Sequence, residues 1–185
     1  MALIKDRKPI HDRWQLLEWG TAGGMPAVPF EAGAEGALPS VPPTGDVIVP
    51  LAAWRTRRGE LLARDGALGV SLSGADDPAE IAPDLAHFGV IAVHFPSFTD
   101  GRGYSTGRLL RQRYGWTGEL RAIGDVQRDQ LFALARCGFD AFALRAGEDV
   151  VLALEAFSEF SDGYQASVEH PLPLFRRREP AGPAA

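Results

Sequence analysis

The sequence predicts an α/β fold of about five βα-type units with a mainly parallel sheet, plus a short N-terminal extended unit and a Gly/Pro-rich arm. Five short apolar runs lie about 20–30 residues apart, and helical patterns separate most of them. The runs cover residues 47–49, 68–72, 90–93, 120–123 and 141–144. Strands that alternate with helices in this way are typical of parallel βαβ units. Five units are too few for a closed eight-stranded barrel, and the pattern leaves an open sheet and a partial barrel equally compatible.

Helical patterns are clearest over residues 104–114 and 126–136, where apolar side chains recur at helical spacing. Asp125 precedes the second pattern, and its carboxylate is expected to cap that helix at its N-terminus. Gly138 follows the same pattern and is expected to end the helix as its C′ glycine. Near the first apolar run, Pro50 is expected to end the strand.

The chain divides into four segments by composition. Residues 20–45 are rich in glycine, proline and alanine and hold few large apolar side chains, so little regular structure is expected there. Residues 14–19 are compatible with a strand or a helical turn. The predicted segments are an N-terminal extended unit (1–19), a linker or wrapping arm (20–45), an α/β domain (46–170) and a flexible tail (171–185).

Composition excludes several broad classes of protein. Hydrophobic residues make up 45% and charged residues 23% of the chain, which is globular rather than disordered composition. The net charge of −5 argues against binding of nucleic acid or an anionic membrane through the overall field. Charged residues 5–8 interrupt any signal-peptide pattern, and no apolar stretch approaches the roughly 20 residues of a membrane span. The expected location is the cytoplasm.

Three residue types that often carry chemistry have simpler interpretations here. Cys137 is the only cysteine, so no intrachain disulfide is expected, and a small core residue is favoured over a reactive thiol. Trp54 is expected to pack in the core rather than to serve as a ligand platform. The four histidines are scattered, and no cysteine–histidine cluster has metal-ligand spacing, so no metal site is predicted.

A candidate site lies between the apolar run at 90–93 and the helical pattern at 104–114. The turn between them is rich in glycine, hydroxyl and basic residues, and Gly101 and Gly103 allow positive φ or close approach of a ligand. A helix N-terminus that follows a parallel strand favours anions. The turn can also be a capped helix start with solvated arginines. The candidate anion- or partner-binding residues are Arg102, Gly103, Tyr104, Ser105, Thr106, Arg108 and Arg111.

The same turn holds three candidates for acid–base chemistry. His94 at the strand end is a candidate general base or hydrogen-bond donor to an anion. A histidine at the rim of the site that bonds a structural partner fits equally well. Asp100 is expected mainly to set the turn, as Asp-Gly sequences commonly do. Tyr104 can present its hydroxyl to a ligand or pack on the sheet. No nucleophile elbow, P-loop or Ser-His-Asp spacing is present.

A nicotinamide site is a further hypothesis. Gly101-x-Gly103 follows a strand and opens a helix, and Asp125 lies near the position of a ribose-binding acid. However, Thr106 stands at the third glycine position of the fingerprint, and Gly107 comes one residue late. The unit is also the third βα unit rather than the first. NAD(P) is therefore only weakly indicated, and no other cofactor is evident in the sequence.

The same turn contains a long continuous phrase from His94 to Ser105, which residues 109–111 and 118–126 extend. These residues resemble a bacterial family, the domain of unknown function 934. Asp129-Gln130, residues 137–140 and Phe142 look similar as well. The resemblance covers roughly residues 85–165 and extends more weakly to the N-terminal part.

The resemblance implies a link to sulfur metabolism. Members are commonly labelled oxidoreductases and linked to assimilatory sulfite reduction, typically because they are encoded beside the sulfite reductase haemoprotein. That label comes with no catalytic residues. It implies an accessory protein that binds an oxyanion or the haemoprotein through the 94–111 loop. Two alternatives stay open, a small NAD(P)-dependent oxidoreductase and a non-catalytic scaffold, and so does the question whether the chain is an enzyme.

Overall fold

The computed structural model describes residues 2–17 and 40–177. Most of the predicted arm and the end of the predicted tail lie outside these described residues. The strands are β1 (Leu3–Lys5), β2 (Lys8–Ile10), β3 (Gln15–Leu16), β4 (Val47–Pro50), β5 (Leu68–Leu72), β6 (Val90–Phe95), β7 (Glu119–Gly124) and β8 (Ala141–Ala143). The helices are α1 (Leu51–Ala63), α2 (Arg102–Gln112), α3 (Leu131–Arg136), α4 (Val150–Glu155) and α5 (Leu174–Arg177). Two 3₁₀ segments, Pro78–His87 and Arg128–Gln130, complete the described elements.

The eight strands form one mostly parallel sheet in the order β2-β1-β8-β7-β6-β5-β4-β3. Strands β3 to β8 are parallel and lie side by side in chain order, while β1 is antiparallel to both β8 and β2. All five apolar runs of the sequence form strands of this sheet. The predicted α/β fold with a mainly parallel sheet is confirmed. The N-terminal extended unit supplies β1 to β3, at the two ends of the strand order.

The helices pack on one face of the sheet. Alternate residues of β6 point to opposite faces, so Val93 and Phe95 lie in the large core with the buried side chains of α1 to α4. Ala92 instead belongs to a smaller cluster whose other buried members come from strands. Trp14 and Leu16 pack against that smaller cluster. The sheet therefore has a helix-covered face and a second face with a smaller apolar cluster.

A charged cluster lies on the second face at the amino ends of β7 and β8. Arg121 on β7 donates to the Glu119 carboxylate at 2.8 Å and to Asp12 at 2.8 Å. Lys5 on β1 donates to the other oxygen of Glu119 at 2.8 Å. The Arg121 side chain is 3% exposed, so both carboxylates compensate a buried charge. The cluster ties the N-terminal segment to the centre of the sheet.

The local signals of the sequence have mixed outcomes. Pro50 ends β4 as predicted, and α1 begins at the next residue. Gly138 follows α3 with φ of +99°, which confirms the C′ glycine. The predicted cap at Asp125 is wrong: Gln127 caps the 3₁₀ segment before α3 in a reciprocal capping box with Gln130. The Asp125 carboxylate turns instead toward the neighbouring loop, as described below.

The described part of the chain lacks both a membrane-spanning helix and a cluster of metal-ligand side chains. Over residues 2–17 and 40–177, no helix has the length and apolarity needed to cross a membrane. Over the same residues, no group of three or more histidine, cysteine, aspartate or glutamate side chains is arranged to hold a metal ion.

We expect Arg121→Met to lower the free energy of unfolding by about 3 kcal/mol, because it leaves buried Glu119 with Lys5 alone. Arg13→Met is the matched control, since Arg13 is 74% exposed and pairs with Asp46 at the surface. We expect that control to cost less than about 1 kcal/mol. Urea unfolding of both variants measures the difference, and equal losses would contradict a structural role for the cluster.

Candidate functional site

The candidate site is the loop of residues 96–101, which joins the carboxyl end of β6 to α2. Pro96, Ser97, Phe98 and Thr99 are all exposed. The turn is closed by a hydrogen bond from the Asp100 N–H to the Ser97 carbonyl at 3.0 Å. The loop therefore projects from the edge of the sheet with its backbone bonded across the turn.

The Asp100 carboxylate lies at the start of α2, where the sequence predicts an external anion. The carboxylate accepts the Arg102 backbone N–H at 3.1 Å and the Arg102 guanidinium at 3.0 and 2.7 Å. The guanidinium, and then the backbone N–H, hold the pKa of the Asp100 carboxyl below its usual range. Asp100 thus sets the turn, as its sequence context predicts. An external anion at this position competes with a carboxylate of the chain itself.

The two glycines of the turn have different surroundings. A Cβ at Gly101 would meet no atom within 4 Å. A Cβ at Gly103 would lie 2.6 Å from the Phe95 ring and 3.0 Å from Val93. Gly103 therefore serves the close packing of α2 on β6 and is buried, rather than presenting its backbone to a ligand.

The candidates Ser105, Thr106 and Arg108 on α2 differ in solvent exposure. Ser105 is exposed, whereas Thr106 is buried toward the core. Arg108 is exposed and donates to the Gln112 side chain at 2.8 Å. Of the predicted contact residues, Arg102, Ser105 and Arg108 thus share solvent exposure.

Arg111 is at the far end of α2 and is committed to the fold. Its guanidinium donates to the Gly138, Trp116 and Gly118 carbonyls at 2.7–2.8 Å, and to Asp140 at 2.7 Å. Nine residues of helix separate it from Arg102, a rise of about 13 Å. The structure therefore does not bring these two arginines to one small anion.

The three acid–base candidates lie on both faces of the sheet. The Tyr104 ring packs edge-on against Phe95 on the helix-covered face, with centroids 5.5 Å apart. His94 precedes Phe95 on β6 and so points to the second face. The main cause of the lowered pKa of Asp100 is Arg102, and the charge of His94 acts in the same direction. Strand alternation thus separates His94 from Tyr104.

Tyr104 and Cys137 are both half-buried. Burial raises the pKa of the Tyr104 hydroxyl, which is hydrogen-bonded to the Gln130 side chain. Burial also raises the pKa of the Cys137 thiol, although Arg108 and Arg136 act in the opposite direction. The thiol is therefore less readily ionised than a free cysteine. Trp54 is buried, packs against Phe88 and donates to Asp84 at 3.1 Å.

Asp125 holds the candidate loop in place. One carboxylate oxygen accepts the Phe98 backbone N–H at 2.9 Å. The other accepts the Gln127 amide at 3.1 Å and faces Arg145 at 3.4 Å. Both oxygens of the acid that a nicotinamide ribose would need are therefore engaged by the chain itself.

Gln130 is a residue of the site that the sequence did not single out as functional. It is 4% exposed, accepts the Gln127 backbone N–H at 2.9 Å and donates to the Phe98 carbonyl at 3.4 Å. The sequence signal was the Gln127-x-x-Gln130 spacing, which is that of a capping box. The contact with Phe98 depends on tertiary structure and has no local signal.

A family model supports the resemblance found in the sequence. The model, described as a bacterial protein of unknown function (DUF934), matches residues 69–175, more than half of the chain. The chain belongs to the DUF934 family. The match begins in β5, ends in α5 and includes every residue of the candidate site. Neither a curated protein nor a solved structure matches this DUF934 chain significantly.

We expect Gly103→Ala to lower the free energy of unfolding of this DUF934 protein by about 1–2 kcal/mol, because the new methyl group overlaps the Phe95 ring. Gly101→Ala is the matched control and should change stability by less than about 1 kcal/mol. Thermal unfolding of the two variants tests the assignment. If the two glycines tolerate alanine equally, Gly103 is not a packing residue.

The pKa of Asp100 should respond to the loss of its guanidinium partner. Arg102→Met is expected to raise it toward the ordinary aspartate range, because the carboxylate loses its strongest hydrogen bond. Since the folded-state pKa is depressed, the stability that Asp100 contributes is present at neutral pH and is lost as the pH falls through that pKa. An NMR titration of the side-chain carboxyl carbon measures the shift. Arg108→Met, which leaves the Asp100 contacts intact, should not move it.

Proposed function

We propose that this DUF934 protein is an accessory protein of assimilatory sulfite reduction that binds the sulfite reductase haemoprotein. The binding region is residues 94–111, called the 94–111 loop, which comprise the end of β6, the loop of residues 96–101 and most of α2. The association with sulfite reduction comes from the resemblance described above. The loop lies within the stretch that carries the resemblance. It exposes one aromatic side chain, Phe98, and two basic ones, Arg102 and Arg108. In this proposal the electron chemistry belongs to the haemoprotein, and the chain supplies a binding surface.

The observation that carries the proposal is the position of the Asp100 carboxylate. Because it already binds the Arg102 guanidinium and backbone N–H, a small oxyanion has to displace it. A partner protein that contacts Phe98 and Arg108 needs no such displacement, since both side chains are exposed with the turn intact. This arrangement favours protein binding over capture of free sulfite.

The charge of the loop supports a specific class of partner surface. Arg108 has an exposed guanidinium that donates to the neutral Gln112 side chain, on a chain whose net charge is −5, whereas the Arg102 guanidinium is paired with Asp100. A positive charge on an acidic protein steers an oppositely charged surface toward one orientation. The haemoprotein surface that binds here is therefore expected to carry carboxylates.

The direct test is sulfite-dependent electron consumption by the cognate haemoprotein, measured with and without the chain, together with co-purification of the two proteins. We expect the chain to bind the haemoprotein and to raise the rate. Absence of both effects would overturn the accessory function, and titration of the chain with NADPH, followed by tryptophan fluorescence, would then test the oxidoreductase alternative.

The loop is tested by the double variant Arg102→Ala, Arg108→Ala. We expect it to weaken haemoprotein binding about tenfold at low salt and less at high salt, because the lost charges act through a screened field. The matched control is Arg55→Ala, Arg58→Ala on α1, which also removes two exposed arginines. Equal weakening by both pairs would point to net charge rather than to the loop.

In the oxyanion alternative, the Asp100 carboxylate hinders binding instead of leaving it unaffected. If free sulfite binds at the start of α2, Asp100→Asn should tighten its binding to the isolated chain, because the competing charge is gone. Calorimetric titration of sulfite into both proteins measures this. If sulfite binds neither protein while the haemoprotein binds the wild type, the protein-binding form of the proposal stands.

A further inference from the structure

The backbone of Phe98 is held from both sides by side chains of other elements. Its N–H is donated to the Asp125 carboxylate at 2.9 Å, and its carbonyl accepts the Gln130 amide at 3.4 Å. Asp125 lies 27 residues and Gln130 32 residues further along the chain. The tip of the loop is therefore positioned by tertiary contacts as well as by its own turn.

The two holding residues are themselves fixed. The Asp125 backbone N–H donates to the Phe95 carbonyl at 2.8 Å. Gln130 is buried, takes part in the capping box with Gln127 and is hydrogen-bonded to Tyr104. A surface loop with only local hydrogen bonds would move more freely. Here the loop backbone is bonded to a strand end and to a buried side chain.

The Phe98 side chain is left on the outside of this arrangement. It is 45% exposed although its backbone is bonded on both sides. Aromatic side chains that dominate protein interfaces are typically held in position before binding, because little conformational entropy is then lost. An exposed phenylalanine on a fixed backbone has the features of an interface anchor.

We propose that Phe98 is the anchor of the haemoprotein-binding surface and that Asp125 and Gln130 are its positioning residues. This inference rests on the proposed function, because the partner is the protein that binds the 94–111 loop. The complementary site on that partner is an apolar pocket that accepts one phenyl ring.

The anchor is tested by Phe98→Ala in a binding measurement with the purified haemoprotein. We expect a loss of affinity of about 30-fold, as is typical when a central aromatic anchor is truncated. The matched control is Phe175→Ala on α5, where the side chain is 51% exposed and lies outside the loop. That variant should bind as the wild type does.

The positioning role is tested by Gln130→Leu and, independently, by Asp125→Ala. Each should weaken binding about fivefold, because part of the ordering of Phe98 is then deferred to the binding step. The same substitutions in a Phe98→Ala background should have no further effect on binding, since the anchor they position is absent. A merely structural role would weaken binding in both backgrounds alike.

Hydrogen exchange gives a readout that does not depend on the partner. The Phe98 amide should exchange about tenfold faster or more in Asp125→Ala than in the wild type, because it loses a hydrogen bond to a carboxylate. Core amides of β6 should keep their rates. If the Phe98 amide is unprotected in the wild type, Asp125 does not position it, and that part of the inference fails.

The outcomes separate the inference from the function on which it rests. If the wild type does not bind the haemoprotein, both are overturned. If the wild type binds and Phe98→Ala binds equally well, the accessory function survives and the anchor is wrong. If Phe98→Ala and Phe175→Ala weaken binding equally, exposed aromatic area matters but Phe98 has no special place.

Discussion

The arrangement of the site depends on the close approach of α2 to the sheet. Two glycines of this helix face aromatic rings: Gly103 lies against Phe95, and Gly107 lies against Phe139. The two rings are themselves in edge contact, with centroids 5.9 Å apart. Because no Cβ holds the helix away, α2 begins close to the carboxyl end of β6 and a short loop suffices to connect them. The short connection also places Asp100 directly before the helix, where its carboxylate accepts the Arg102 backbone N–H.

The sequence predicted those parts of the fold that depend on local patterns. Continuous apolar runs indicated the buried parallel strands, and Gly138 indicated the end of α3, because both signals act within a few residues. The assignment of Asp125 as a helix cap failed for the opposite reason. Its carboxylate can cap the following helix or accept a hydrogen bond from another element. In the structure it accepts the backbone N–H of Phe98, in the loop after the neighbouring strand β6. Only the adjacency of β6 and β7 makes that contact available.

The arginines and the acid–base candidates show the same limit within the site. Helical periodicity places Arg108 and Arg111 one turn apart, but it does not tell which of them faces the half-buried carboxylate of Asp140. Arg111 donates to Asp140 and to three backbone carbonyls. Arg108 is therefore exposed to solvent, whereas Arg111 is bonded within the protein. His94 and Tyr104 are ten residues apart, but strand alternation sends them to opposite sides of β6. Residues that crowd a single loop in the sequence thus belong to separate environments.

The strand order also has a consequence for synthesis on the ribosome. Strands β4 to β8 can each pair with the strand made just before, so the sheet can grow as the chain emerges. Strand β1 is different, since Leu3 pairs with Ala143. At about 5–20 residues per second, the first strand can pair with β2 at once but waits roughly 7–30 seconds for β8, its other neighbour. During that interval its apolar residues are available to chaperones and to other nascent chains.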